Sequence, residues 1–171
     1  MLRNASQPSA VWDTRSHQVI LNADGSVVHG VSGAALQTKS EDGIVWSPRS
    51  ELGYFLGYSH PAPLATGLEL FTGPHKNRLL FIGWRSPTSG QHPPPVARDM
   101  VWYTDDSGKT YRPSNTTIST GGEAQLVQND QGTVIANIRD PESMTLGSES
   151  LGSQYQPYGS FAHFSFPHSR F

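Results

Sequence analysis

The chain has 171 residues, a net charge of −2 and no cysteine. Its length suits one ordinary domain, and its nearly balanced charge gives no electrostatic support for binding to nucleic acid or to an anionic membrane. Because cysteine is absent, disulfides, thiol nucleophiles and cysteine-ligated metal sites are excluded.

The predicted elements are short β-strands. The chain contains 17 Gly and 13 Pro, and short apolar runs alternate with turn residues, which is typical of an all-β fold. In chain order, the predicted strands are residues 18–21, 34–39, 68–71, 78–84, 100–104, 124–128 and 133–138. No apolar run approaches the ~18 residues of a membrane span. The first residues lack the apolar stretch of a secretory signal, and the compartment stays open.

Asn, Asp and Gly mark three turns between these strands. Residues 22–25 are predicted to turn after the first strand, and residues 129–132 to join the last two strands as a hairpin. The third turn is residues 104–111, TDDSGKTY. Here we expect Asp106 to accept backbone N–H groups and Gly108 to supply a positive φ, with the aromatic ring of Tyr111 folded under the turn.

A looser copy of the third turn occurs earlier in the chain. Residues 40–47 have the same order of hydroxyl, any residue, Asp, Gly and aromatic, with one residue fewer between Asp and Gly. The copies begin at Ser40 and Thr104, which are 64 positions apart. Recurrence at such an interval predicts repeated β-sheet units, as in a propeller.

These turns resemble a motif of the sialidases, also called neuraminidases. The pattern Ser/Thr-x-Asp-x-Gly-x-Thr-aromatic is the Asp box of that family, and residues 104–111 match it with Tyr111 in the place of the usual Trp. In the family this turn lies on the rim away from the active site. Because Asp boxes also occur in other propellers, this part of the resemblance implies architecture and not chemistry.

A more specific resemblance to the sialidases covers residues 122–139, GEAQLVQNDQGTVIANIR. There Glu-x-Gln opens one strand, a short Gly turn follows, and Asn-x-Arg closes the next. With similar stretches at residues 8–21 and 68–81, the resemblance extends over residues 8–140. It implies a partial six-bladed propeller of about two to three blades, followed by an irregular Ser/Gly/Tyr-rich tail at residues 141–171.

The resemblance implies an exo-α-sialidase, a glycoside hydrolase that removes terminal sialic acid from glycoproteins, glycolipids or oligosaccharides. Glu123 matches the family residue that takes the proton of a nucleophilic Tyr. Arg139 matches one of three arginines that clamp the carboxylate of sialic acid, a task that suits the planar guanidinium fork. No cofactor is implied, and the seven His residues show no metal-ligand spacing. A lysosomal or extracellular location is compatible with the resemblance.

The residues themselves support a paired site but leave alternatives open. Glu123 and Arg139 are predicted at the outer ends of two paired strands, opposite the turn at residues 129–132, so both should lie near one rim of the sheet. Alternatively, Glu123 is an edge-strand charge that discourages aggregation, and Arg139 forms only a solvated pair with Asp140.

The sequence also departs from the family pattern. The segments that carry the other two arginines, the Asp acid/base and the nucleophilic Tyr have no match here, and the surroundings of Tyr155 and Tyr158 do not fit a nucleophile. Catalysis by this chain alone is therefore not expected. The alternative function is a non-catalytic Asp-box propeller module that binds carbohydrate or protein.

Overall fold

The computed structural model describes residues 5–25, 35–52, 59–63, 66–86, 98–118, 124–138 and 160–164. Every regular element in these residues is a β-strand, which confirms the predicted all-β fold. The strands form three sheets in which all neighbours are antiparallel.

Each sheet is built from consecutive strands of the chain. The first sheet has the order β1 (Ala5–Asp13), β2 (Gln18–Gly25), β3 (Ala35–Ser40) and β4 (Ser50–Glu51). The second has the order β5 (Ser59–Pro63), β7 (Leu79–Ser86), β8 (Arg98–Thr104) and β9 (Arg112–Ile118), and β6 (Leu68–Glu69) also pairs with β7. The third consists of β10 (Ala124–Gln128), β11 (Val134–Ile138) and β12 (Ser160–Phe164).

The strands missing from the sequence-based list lie at sheet edges. The seven predicted strands correspond to β2, β3, β6, β7, β8, β10 and β11, with ends that differ by a few residues. The strand pair inferred from the resemblance at residues 8–21 is present as β1 and β2. β4, β5, β9 and β12 were not predicted, and each borders its sheet. Edge strands tolerate polar residues and proline, so they lack the apolar run that marks a central strand.

The turn predicted at residues 22–25 is wrong, because these residues belong to β2 and pair with both β1 and β3. Asn22 is buried. Its Nδ2 donates to Tyr111 Oη at 3.0 Å, and its Oδ1 accepts from Gln37 Nε2 at 3.2 Å. These tertiary hydrogen bonds override the local turn preference of Asn and Gly.

The C-terminal tail also contains a strand, contrary to the expectation of an irregular segment. Within it, β12 pairs with β11 and places Phe161 opposite Asn137 and Phe164 opposite Val134. The three-residue spacing of Phe161 and Phe164 is not the period of two by which a strand is recognised. The prediction that residues 8–140 and 141–171 are separate units remains a prediction.

Two apolar clusters lie between successive sheets. The cluster between the first and second sheets consists of Val11, Ile20, Leu79, Phe81, Trp102 and Tyr111. The cluster between the second and third sheets consists of Leu70, Leu80, Ile82, Val101, Tyr103, Ala124, Leu126, Val134 and Ala136. The second sheet is thus buried on both faces, which explains the unbroken apolar run at the start of β7. Trp102 is a core aromatic, since it is 1% exposed.

The turn at residues 104–111, here the second Asp turn, has the predicted internal hydrogen bonds. Asp106 Oδ1 accepts from the backbone N–H groups of Lys109 and Thr110 at 3.0 and 2.9 Å. Its carboxylate also accepts from the hydroxyls of Thr104 at 2.8 Å and Thr110 at 2.7 Å. Gly108 has φ +74, and Tyr111 is buried with its hydroxyl bonded to Asn22 and Gln37.

Residues 40–46, here the first Asp turn, repeat this arrangement around Asp42. Its Oδ1 accepts from the N–H groups of Ile44 and Val45, each at 2.8 Å, and from Ser40 Oγ at 3.0 Å. The aromatic residue differs between the two turns, because Trp46 remains 37% exposed. The shorter Asp–Gly spacing ends the turn before the ring reaches the core.

Five turns of the three sheets share one edge, here called the turn rim: residues 13–17, 40–47, 71–78, 104–111 and 129–133. Contacts between them cross from sheet to sheet. Lys39 Nζ, beside the first Asp turn, donates to Ser107 O at 2.6 Å. Arg15 Nη1, in the β1–β2 turn of the first sheet, donates to Asp105 O of the second sheet. Within the second sheet, Arg78 donates to both carboxylate oxygens of Asp105 at 2.8 and 2.9 Å. The other ends of the strands form the opposite rim.

Replacement of Asp106 by Ala is expected to destabilise the protein by about 1–3 kcal/mol, because the buried Thr104 hydroxyl and the N–H groups of Lys109 and Thr110 lose their common acceptor. Urea unfolding of Asp106→Ala measures the change in the free energy of unfolding. The control is Asp130→Ala in the exposed β10–β11 turn, which should stay within about 0.5 kcal/mol of the wild type. Equal effects of both substitutions would contradict the role given to Asp106.

The second Asp turn should also make stability depend on acid pH. Partial burial raises the pKa of Asp106, but hydrogen bonds from Thr110, Thr104 and Lys109 outweigh it and lower the pKa from 3.8 to about 2. A carboxylate with a lowered pKa stabilises the fold above its unfolded pKa, and this contribution is lost as the pH falls from about 4 towards about 2. The stability difference between wild type and Asp106→Asn should therefore shrink over that range. A difference that stays constant with pH would refute this assignment.

Candidate functional site

The hairpin β10–β11 carries the residues that the sequence predicts as a site. Its ladder runs from Gln128 opposite Val134, beside the turn, to Ala124 opposite Ile138 at the other end. In the turn, Asn129 Oδ1 accepts from the N–H groups of Gln131 at 3.1 Å and Thr133 at 2.9 Å. With φ +86 at Gly132, the predicted hairpin is confirmed.

Gln128 fixes the turn end of this hairpin to the second sheet. It is buried, and its Oε1 accepts from the backbone N–H of Phe71 at 2.8 Å. Its Nε2 donates to Thr72 O at 3.3 Å and to Gly132 O at 3.2 Å. The hairpin is therefore held at the turn rim by a polar side chain and along its length by the apolar cluster.

The predicted site residues adjoin the opposite end of the hairpin. The last described pair there is Ala124 and Ile138. Glu123 directly precedes this pair in sequence and Arg139 directly follows it, and both lie outside the described residues. Their roles therefore remain predictions.

Two exposed amide side chains occupy the neighbouring position of the ladder. Gln125 and Asn137 are direct cross-strand partners, and both are exposed. They share the face of the hairpin that points away from the apolar cluster, together with Val127 and Ile135. Both amides belong to the sequence patterns Glu-x-Gln and Asn-x-Arg, but the sequence analysis gave them no role. Because Gln125 lies two positions from Glu123 and Asn137 two positions from Arg139, the sequence could have predicted that both amides share a strand face with the predicted site residues.

Arg78, Asp105 and Asp13 of the turn rim bind neighbouring groups and support the structure. The guanidinium of Arg78, besides its two bonds to Asp105, stacks over the Tyr103 ring at 4.1 Å from the ring centre. Asp13 is fully buried. Burial raises its pKa, but hydrogen bonds from Ser107, Ser16 and the Arg15 backbone outweigh this and leave the pKa lowered. These groups are committed to each other, so the turn rim is not the candidate site.

In the part of the chain that the structure describes, no group of three or more His, Asp or Glu side chains is arranged to hold a metal ion. Across the described ranges there is also no helix with the length and apolarity that a membrane crossing needs.

Two solved structures with a similar fold are glycosidases. A Hadza microbial sialidase superposes with a TM-score of 0.62 at 15% identity, over 81% of this chain and 29% of its own. A GH32 beta-fructofuranosidase of Bombyx mori superposes with a TM-score of 0.54 at 11% identity, over 78% of this chain and 29% of its own. No protein-family profile and no curated protein matches the sequence.

These likenesses establish the fold. The chain spans less than a third of either enzyme. The protein is therefore all-β, with the fold of part of a glycosidase-type β-propeller. At 15% and 11% identity, the comparison establishes the architecture of the chain but does not indicate its substrate.

Removal of the Gln128 side chain tests how the hairpin is held. In Gln128→Ala, the backbone N–H of Phe71 loses its acceptor. Its hydrogen should then exchange with solvent at least about tenfold faster, because a tenfold change corresponds to the loss of about 1.4 kcal/mol, the contribution of one hydrogen bond. Amide hydrogen exchange followed by NMR measures this rate.

The matched control is Gln125→Ala, which removes the same side chain from the exposed face of the same strand. It should leave the exchange rate of the Phe71 amide unchanged. If Gln125→Ala accelerated that amide as much as Gln128→Ala, the anchoring role of Gln128 would be wrong.

Proposed function

We propose that this chain is the part of a sialidase-like glycoside hydrolase that binds the carboxylate of a terminal sialic acid through Arg139, with Glu123 as the proton acceptor beside it. The observation that carries the proposal is the β10–β11 register combined with the pattern of residues 122–139. The glycosidase fold of the chain is consistent with it.

The register provides a geometric reason for pairing Glu123 with Arg139. Every described pair of the ladder joins positions whose numbers have the same sum, from 128 with 134 to 124 with 138. One further pair on the same register would bring Glu123 opposite Arg139. Both would then share the exposed face of Gln125 and Asn137, because positions two apart in a strand point to the same side.

The chemistry of the two groups suits an acidic sugar. An arginine fork binds a carboxylate through two parallel hydrogen bonds. A phenol with a pKa of about 10 is a poor nucleophile at neutral pH until a neighbouring base takes its proton. Glu123 is proposed as that base. The Tyr itself has no match in this sequence, so complete turnover is proposed only for a protein that also supplies it.

The second candidate function is a propeller module that binds carbohydrate or protein without turnover. The sequence contains one matching arginine of the family's three and no matching nucleophile, which favours this candidate over catalysis by the chain alone. The two candidates predict the same contact at Arg139 and differ only in turnover.

Binding of sialic acid tests the carboxylate contact directly. Ligand-observed NMR titration of the chain should give weaker binding for Arg139→Ala by about 10- to 100-fold, the usual worth of a hydrogen bond to a charged group. The methyl ester of sialic acid lacks the negative charge and should bind as weakly to the wild type as the acid binds to the variant. Arg112→Ala, at an exposed position of β9, is the matched control and should bind like the wild type. Equal affinity for acid and ester would eliminate Arg139 as the carboxylate ligand.

Turnover separates the two candidates. With the full-length protein encoded by the gene, Glu123→Gln should lower kcat for a fluorogenic sialoside by about 100-fold or more, in the range of a lost general base. KM should change little. The exposed Glu41→Gln in the first Asp turn serves as control. Sialoside binding without hydrolysis in the wild type would instead favour the binding module.

A further inference from the structure

The sequence contains two Asp-Gly dipeptides, at residues 24–25 and 42–43, and the structure gives them different surroundings. The first lies in β2, where Asp24 pairs with β1 on one side and with β3 on the other. The second lies in the first Asp turn, where residues 41–46 are all exposed. A comparison of the two sites therefore separates the reactivity of the dipeptide from the effect of the fold around it.

An Asp-Gly dipeptide undergoes a spontaneous rearrangement that needs no enzyme and no cofactor. The backbone nitrogen of the Gly attacks Cγ of the Asp, an N–Cγ bond forms, and one carboxyl oxygen leaves as water. Water then opens the five-membered imide. Cleavage at Cγ restores Asp, whereas cleavage at the backbone carbonyl leaves isoaspartate, in which the chain runs through Cγ. Gly favours the attack because it has no Cβ to crowd the nitrogen.

The Asp42–Gly43 peptide is held only by hydrogen bonds within its own turn. A Cβ added to Gly43 would meet no described atom within 4 Å, and the next two residues, Ile44 and Val45, are 82% and 71% exposed. The Gly43 N–H donates to Ser40 Oγ at 2.8 Å. Asp42 Oδ1 accepts from the two N–H groups that follow, each at 2.8 Å. Opening of this peptide therefore breaks local bonds and leaves the sheets intact.

The other two comparable sites in the described residues are more constrained. In the second Asp turn, the extra residue puts Ser107 directly after Asp106, so the attacking nitrogen there belongs to a residue with a Cβ. Gly108 of that turn is closely packed, because an added Cβ would lie 2.9 Å from Tyr111 Oη. In β2, the ladders on both sides fix the extended backbone at Asp24, and only separation of β2 from its neighbours would release it.

We propose that Asp42 is the principal site at which this chain isomerises spontaneously to isoaspartate, and that the Ser40 hydroxyl restrains the reaction. Ser40 Oγ accepts the N–H of Gly43, the attacking group, at 2.8 Å. It shares its own proton between Asp42 Oδ1 at 3.0 Å and Val45 O at 2.6 Å. The reaction requires the nitrogen to lose its proton and to approach Cγ. One hydroxyl thus holds both reacting groups in their resting positions.

Isomerisation would remove the acceptor around which the first Asp turn is built. The former side-chain Cγ becomes part of the chain, which lengthens the turn by one backbone atom and moves the free carboxylate. The N–H groups of Ile44 and Val45 then lose the oxygen that they share. Because β3 ends at Ser40, the change is confined to the turn. This inference is independent of the proposed sialidase chemistry.

Ageing of the purified chain at neutral pH tests the proposal. Peptide mapping with electron-transfer mass spectrometry measures isoaspartate at each Asp, since the two isomers have the same mass. In the folded protein, Asp42 should isomerise at least about tenfold faster than Asp24, because exposed turns open far more readily than central strands. In urea the chain is unfolded, and the two rates should become similar.

Replacement of Ser40 tests the restraint. Ser40→Ala should raise the rate at Asp42 several-fold and leave the rate at Asp24 unchanged, which also shows that the variant is folded. The matched control is Ser40→Thr, which keeps the hydroxyl and should age like the wild type. Thr104 has the equivalent place in the second Asp turn, where it accepts the Gly108 N–H at 3.0 Å.

Three results would overturn the proposal. The first is an Asp42 that isomerises in the folded protein no faster than Asp24. The second is the same excess of Asp42 over Asp24 in urea as in the folded protein, since the difference would then come from the neighbouring sequence and not from the fold. The third is a Ser40→Ala variant that ages at the wild-type rate, or in which both sites accelerate equally.

Discussion

Burial of the second sheet on both faces is the constraint on which the rest of the structure depends. Leu79 and Phe81 pack towards the first sheet, and Leu80 and Ile82 pack towards the third. A sheet that is apolar on both faces must be covered on both faces. The flanking sheets meet it with one face each, and this arrangement determines the propeller-like stacking.

Polar contacts along one edge align the three sheets. Arg15 binds Asp105 O and Lys39 binds Ser107 O between the first and second sheets, and Gln128 binds the Phe71 backbone between the second and third. These contacts use the charged side chains of the turn rim for structure. The proposed chemistry belongs to the opposite rim, where the sequence pattern predicts an acid and an arginine at the end of the β10–β11 ladder. This division agrees with the role that the family resemblance gives to Asp boxes.

The sequence predicted features that depend on neighbours in the chain and missed those that depend on distant partners. The second Asp turn was predictable because Asp106 bonds to groups within four residues. Asn22 was not, because its partner Tyr111 lies 89 residues away. Polar edge strands such as β5 and β9 carry no apolar signal of their own. For the candidate site, the hairpin of residues 124–138 was predictable from its local turn residues. Glu123 and Arg139 were identified only by the family resemblance, and both lie outside the described residues.

Disulfide trapping tests most directly whether positions 123 and 139 face each other. The chain has no cysteine, so the double variant Glu123→Cys/Arg139→Cys contains a single thiol pair. Directly opposed residues of antiparallel strands have Cα atoms about 4.5–5.5 Å apart, within the range that a disulfide bridges. The account predicts rapid cross-linking under mild oxidation, seen as a mass loss of about 2 Da, and little in the offset pair Glu123→Cys/Asn137→Cys. Equal cross-linking in the two pairs, or no cross-linking in either, would contradict the claim that positions 123 and 139 face each other.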